Sequence, residues 1–303
     1  MKGNIFHHSF YSMGTRFSLL FIHPDELLCE KYAGIITAEV KRVEEKLSYF
    51  SGSSDITYIN KYAFEREIML DGEIFYLLKK CDEYNLITEG AFDITMRSII
   101  ESRKSNQSAD LDGISWQNSV HLTDDQKIKF NSSIVKIDLG SLGKGYALEK
   151  AESILHSSPI NNIFISFGES SILAMGNHPN GSSWQVGIND LMDNGSSIYN
   201  FDLVDASVST SSNYTADDLG QISLNINVVD PAKKEIIDEI KSVSVRSRSP
   251  LQAEILSTAF LTMKEEKIKI VVDRLKDVSA VQIDYAPQKK ITIYESLPHQ
   301  SAD

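Results

Sequence analysis

The segment KIDLGSLGKGYALEK, Lys136 to Lys150, sets three glycines and a lysine between an apolar run that reads as a strand and one that reads as a helix. A chain carrying it must hand a strand to a helix through a tight turn, with the free N–H groups of the helix's first turn pointing out of that turn. Glycine permits close backbone approach and Lys144 adds positive charge, so the segment is a plausible anion or phosphate site. It is neither standard motif: a Walker loop needs Ser or Thr after the lysine, where Gly145 stands, and the Gly140, Gly143, Gly145 order does not match G-x-G-x-x-G. The segment alone leaves a second reading open, a tight turn with a solvated lysine.

Elsewhere the pattern is local and mixed. Phe10 to Ile22 reads as a strand broken by Gly14, and Glu26 to Leu47 as an amphipathic helix. Asp71 predicts the N-cap of a second helix that ends before Gly90, and EGAFDITM follows as a compact loop. Leu111 to Ile137 reads as short antiparallel strands, Lys144 to Leu155 as a helix, and Asn161 to Val229 as strand after strand. PLQAEILSTAFLTM and KIKIVVDRLKDV return to helical spacing, and SAVQIDYAPQKKITIYES closes as a hairpin. Strands and helices mix without strict βαβ alternation or a Pro/Gly/Ser-rich linker, which predicts one α+β domain over residues 1–303, a mixed, largely antiparallel sheet with flanking helices. Residues from about 296 to 303 read as a flexible tail.

Thirty Lys+Arg against 42 Asp+Glu give a net charge of -12 with no long basic run, which argues against a nucleic-acid partner. Cys29 and Cys81 form neither a metal-ligand spacing nor a disulfide framework. No window reaches membrane-spanning length, and MKGNIFHHSFYSMGTRF lacks the apolar core of a secretory signal, so the chain as written reads as cytoplasmic. A chain trimmed of its leader, periplasmic or lipid-anchored, would read the same way.

YSMGTRFSLLF, LSYFSGSSDITYIN, EGAFDIT, IDLGSLGKGYALEKA, ISFGESSILAMG, WQVGI, VSTSSNY, NVVDP and SVSVRSRSPLQAEILSTAF resemble, in order, the successive blocks of the ApbE family, the FAD:protein FMN transferases. The resemblance implies a protein that binds FAD and Mg2+ and moves FMN onto a threonine hydroxyl of an acceptor protein, releasing AMP. It implies Met13, Gly14, Thr15, Asp93, Lys144, Gly168, Thr210 and Ser211 as cofactor-binding positions, with Phe50 stacking on the flavin. Glu254 and Thr258, at i and i+4 of one helix, and a carbonyl of Gly143 are the implied metal ligands, all hard oxygen donors. Without the resemblance, Glu254 reads as a helix-surface carboxylate and Thr258 as back-bonding to its own helix.

The chain departs from the family pattern at several points. Asn227 replaces the histidine of the usual HIIDP block and cannot carry a proton at neutral pH, leaving Asp230 as the possible substitute base; these two are the candidate catalytic residues. Glu254 replaces an aspartate, Glu169 a glycine, Ile94 a proline and Ser141 a glycine. The departures keep an alternative alive: a divergent paralogue that binds FAD or nucleotide without transfer, or only hydrolyses FAD.

Overall fold

The computed structural model describes residues 4–104, 111, 113–190, 196–216, 222–224, 228–285 and 288–296; Asn227 and the expected tail beyond 296 lie outside them. In chain order the elements are β1 (Ile5–Ser12), β2 (Thr15–Ile22), α1 (Glu26–Leu47), α2 (Asp55–Tyr62), β3 (Ile68–Met69), α3 (Gly72–Ile87), α4 (Arg97–Lys104) and α5 (Trp116–Ser119). Then come β4 (Val120–Leu122), β5 (Lys127–Phe130), α6 (Gly143–His156), β6 (Ile163–Phe167), β7 (Ser171–Met175), β8 (Trp184–Asn189), β9 (Ser197–Leu203) and β10 (Ala206–Ser212). The chain continues through β11 (Tyr214–Ala216), β12 (Ile222–Leu224), β13 (Val229–Asp230), β14 (Glu235–Ile236), β15 (Lys241–Ser247), α7 (Pro250–Phe260), α8 (Glu265–Arg274), β16 (Ser279–Asp284) and β17 (Lys290–Glu295).

An eight-stranded sheet in the order β1-β2-β6-β7-β10-β15-β16-β17 organises this α+β domain, and every ladder in it is antiparallel. Alternation of side chains along β10 sends Ala206 and Val208 to one face, where they pack with Trp184, Val186, Phe201 and Leu203 of the β8–β9 hairpin. Ser207, Ser209 and Ser211 point to the other face, covered by helices: α7 packs on β10 and β15, α6 on α7, and α1 on α6.

Local signals explain the long elements. In α1, Cys29, Ala33, Ile36, Val40, Val43 and Leu47 are buried at helical spacing, and Asp25 accepts from the Leu28 N–H as N-cap. Asp71 caps α3 through the N–H groups of Glu73 and Ile74. Ser249 caps α7, which starts with Pro250 and is apolar almost all round, so nine of its eleven residues are buried. The broken strand expected at Phe10 to Ile22 is a complete hairpin: Met13 (φ 48) and Gly14 (φ 74) are both left-handed, as a two-residue turn between twisted strands requires. Of the strands expected over Leu111 to Ile137, β4 and β5 form, while Trp116–Ser119 is a short helix capped by Ser115.

On the helix layer, Arg42 bridges Glu39 and Glu73, and Tyr146 donates to Glu73 at 2.7 Å. The Arg42 hydrogen bonds hold the Glu73 carboxyl at about 2, well below the usual carboxylate range. A carboxyl depressed on folding stabilises the protein above its unfolded pKa, near 4.5, and that contribution is lost as pH falls through about 2. Melting curves between pH 5 and 2 are expected to fall less steeply for Glu73→Gln than for the parent.

Candidate active site

Glu254 lies on the buried face of α7, 3% exposed, where an unpaired carboxylate would be costly. It is fully engaged: Lys144 Nζ donates to Oε1 at 2.5 Å and the Ser171 hydroxyl donates to Oε2 at 2.9 Å. Three elements therefore meet at one carboxylate, with Lys144 from the first turn of α6 and Ser171 from the start of β7. A turn further along α7, Thr258 Oγ1 lies 3.3 Å from Ser211 Oγ, which is 2.8 Å from Ser257 Oγ. Ser257 in turn reaches Ser209 at 3.3 Å. One buried ion pair thus opens onto a run of hydroxyls between α7 and β10.

The first hairpin turn adjoins this cluster. A Cβ at Gly143 would stand 3.7 Å from Met13 Sδ, so the turn and the start of α6 touch. Met13 tolerates its left-handed backbone because Glu44 of α1 grips the turn, accepting from the Met13 N–H at 2.6 Å and the Ser12 hydroxyl at 2.7 Å. Thr15 packs on Gly168: a Cβ there would lie 2.7 Å from Thr15 Cγ2, and Gly168 has φ +66. Met13, Gly14, Thr15, Gly143, Lys144, Gly168, Ser211, Glu254 and Thr258 are therefore gathered into one neighbourhood.

Other candidates stand apart. Thr210 follows β10's alternation onto the opposite face from Ser211 and pairs with Ser244 Oγ at 2.8 Å. Phe50 is 81% exposed, edge-on to Tyr49, and Arg97 lies over both rings at 5.2 and 4.3 Å. Arg97 also comes within 3.8 Å of Asp138 at the start of the glycine turn, and so ties Phe50 to it. Burial and the adjoining Glu101 carboxylate raise the Tyr49 hydroxyl to about 12, so it stays protonated.

Asp93 and Asp230 line a cleft of ≈ 1280 Å³ whose wall includes none of Lys144, Gly143, Ser211, Glu254 or Thr258. Asp93 accepts from Thr95 and from the Trp116 N–H, and Asp230 Oδ1 accepts from the Ala232 and Lys233 N–H groups. Both carboxylates brace loops. Glu169, which replaces a glycine of the family pattern, is at a hairpin tip with φ 60, 87% exposed and 3.8 Å from Arg16, so its charge is solvated and partly offset.

The glycine turn does two jobs. No side chain caps α6; the Gly143 N–H donates to the Leu139 carbonyl at 2.9 Å, and the N–H groups of Lys144 and Gly145 have no side-chain cap. Gly145, however, serves packing: a Cβ there would stand 2.7 Å from the Pro250 carbonyl oxygen and 2.9 Å from Glu254 Cβ. It lets α6 and α7 approach closely enough for Lys144 to reach Glu254. Among the described residues no three His, Cys, Asp or Glu side chains stand together as a metal cage. The donors that do stand here, the Glu254 carboxylate and the Thr258 and Ser211 hydroxyls, are hard oxygens that suit Mg2+ completed by water and phosphate.

Sequence reasoning missed Ser171, Glu44 and Arg97 as site residues; Ser171 stands in the family-like segment ISFGESSILAMG, which could have signalled it, whereas Glu44 and Arg97 stand in none.

An antiparallel sheet with a helix layer and a hydroxyl-lined ion pair at their junction defines a single-domain α+β protein. The profile of the ApbE family matches residues 13–282, and the chain belongs to that family. It is 22% identical over 276 residues to an FAD:protein FMN transferase of Vibrio cholerae, covering 84% of this chain and 80% of that one. It is 25% identical over 257 residues to one of Buchnera aphidicola, covering 79% and 75%. The fold matches the ApbE protein of Thermotoga maritima at a TM-score of 0.79, with 23% identity over 96% of this chain and 97% of that one. It also matches the flavin transferase ApbE of Vibrio cholerae at 0.80, with 18% identity and 97% coverage of both.

Proposed function

We propose that this chain is an FAD:protein FMN transferase. The observation that carries the reading is the convergence of the family's blocks on the Lys144–Glu254 pair, at the start of α6, and the Ser211–Thr258 hydroxyls. In the reaction, a threonine hydroxyl oxygen of the acceptor protein bonds to the FMN phosphorus as the bond from that phosphorus to the AMP oxygen breaks. The hydroxyl proton leaves to a base and AMP departs. Glu254 and Thr258 would hold Mg2+, with the Gly143 carbonyl, whose second lone pair is not needed by the helix, as a further oxygen. When bound, the ion supplies charge neutralisation on the phosphates.

The Lys144 ammonium and the uncapped N–H groups of Lys144 and Gly145 suit the pyrophosphate, and Phe50 backed by Arg97 offers a flat apolar surface to the isoalloxazine. Asp230, whose Oδ1 accepts from the Ala232 and Lys233 N–H groups and whose Oδ2 lies 3.7 Å from Lys233 Nζ, lines the separate cleft and is not assigned as the base at this site. Incubation with FAD, Mg2+ and an acceptor bearing the target threonine is expected to yield AMP and flavin-labelled acceptor in equal amounts. AMP without label would favour FAD hydrolysis, and neither product would overturn the reading. Phe50→Ala is expected to leave the melting temperature within about 1 °C, because an exposed ring contributes little to the core, while weakening FAD binding on the order of tenfold, about 1.4 kcal/mol.

A further inference from the structure

The Lys144–Glu254 pair has a consequence for the order in which ligands can enter. Glu254 presents two carboxylate oxygens, one held by an ammonium and one by a hydroxyl, and among the described residues no second cation forms an ion pair with it. The site is therefore electrically closed: one negative charge, one positive, 2.5 Å apart and only 3% and 24% exposed. Each prospective ligand taken singly breaks that balance.

A divalent cation arriving alone must take Glu254 Oε1 from Lys144. It would leave the ammonium displaced and the site at net +2, with two cations sharing one carboxylate in a poorly solvated place. A pyrophosphate arriving alone meets a lysine whose charge is already spent on Glu254, and the site becomes net −2. Arriving together they restore neutrality. The metal takes Glu254, and Lys144, on the flexible stem that distinguishes lysine from arginine, turns from the carboxylate to the phosphate.

Resting on the flavin-transfer reading above, we infer that Lys144 is an exchangeable internal counter-ion that makes metal and FAD binding mutually dependent. In the empty site it stands where a metal's charge would stand. In the filled site it joins the pyrophosphate. The fold supports the exchange, because Gly145 brings the α6 turn against α7 while Lys144, at 24% exposure, retains room to swing outward. Ser171 holds the other carboxylate oxygen throughout and keeps Glu254 oriented during the change of partner.

The coupling is reciprocal by thermodynamic necessity, so either ligand can report it. FAD affinity is measured by equilibrium dialysis with Mg2+ and with EDTA, and Mn2+ affinity by electron paramagnetic resonance with and without FAD. In the parent protein each ligand is expected to tighten the other on the order of 10- to 100-fold, the usual range for such couplings. Lys144→Met removes the internal cation and leaves Glu254 free. Mn2+ alone should then bind at least tenfold more tightly than to the parent, and the mutual tightening should shrink to about threefold or less. Lys144→Arg keeps the charge and should keep a measurable coupling.

Equal FAD affinity with and without metal in the parent would overturn the exchange while leaving the flavin-site reading intact. So would unchanged Mn2+ binding by Lys144→Met with its circular dichroism spectrum preserved. Absence of FAD binding under every condition would overturn the flavin reading, and the exchange with it.

Discussion

Glu254→Gln is expected to lower AMP release from FAD on the order of 100-fold, the scale seen when one charge-stabilising group is removed from a phosphate or oxyanion site. The substitution is isosteric and keeps an acceptor for the Ser171 hydroxyl, but it strips the charge that faces Lys144 at 2.5 Å. Removing one partner of a fully buried pair costs about 3–5 kcal/mol. Lys144 is 24% exposed and can turn toward water, so the expected stability cost here is smaller, about 1–2 kcal/mol, and the melting temperature should fall by only a few degrees. Activity and stability should thus separate. Glu254→Ala is a harsher control, because the Ser171 hydroxyl, 1% exposed, is left without its acceptor at a further cost of about 1–3 kcal/mol. Parent-like turnover by Glu254→Gln would show that the carboxylate has no part in the chemistry.

The second large effect is expected at Gly145. Alanine is the better helix former by about 1 kcal/mol, and in an open helix the substitution stabilises. At Gly145 the new methyl would meet the Pro250 carbonyl oxygen at 2.7 Å, Glu254 Cβ at 2.9 Å and Leu251 Cα at 3.1 Å. These are backbone atoms and a Cβ, none of which can rotate away. Gly145→Ala should therefore destabilise by about 2–3 kcal/mol net, as overpacking outweighs propensity, and should lower activity by moving α6 and Lys144 off α7. Gly34→Ala in α1 is the matched control: nothing lies within 4 Å of its Cβ position, and its melting temperature should rise slightly. Thermal unfolding of the two variants side by side checks both signs. A stabilised Gly145→Ala would mean that the α6–α7 contact is loose, and the close approach would lose its role.

Much of the fold is legible in the sequence because its signals are local. The bounds of α1 follow from apolar spacing, those of α3 from Asp71 and the glycine beyond its end, and α7 from Ser249 and Pro250. The short helices α2 and α4 have no counterpart in the sequence reading, since eight residues offer barely two turns of periodicity. The hairpin at Met13–Gly14 was read as one interrupted strand because only glycine announces a left-handed backbone, and Met13 gives no such notice.

The candidate site divides in the same way. Glu254 with Thr258 follows from the family resemblance, their i, i+4 spacing putting both on one helix face, and Lys144 follows from the glycine turn. Thr210 and Ser211 are adjacent in sequence yet reach opposite faces, because the segment is a strand and side chains on a strand alternate. Asp93 and Asp230 sit on a separate cleft and brace turns there, a placement fixed by packing between distant segments.

The sequence by itself determined the family, the α+β class, the long helices and the residue types of an anion site, since each rests on patterns spanning a few turns or on the order of short blocks. Tertiary structure alone decided that the lysine of the glycine turn spends its charge on a carboxylate 110 positions away, and that Gly145 holds two helices together. An ion pair is set by distance in space and by the low solvation of a buried helix face, neither of which leaves a periodic trace along the chain.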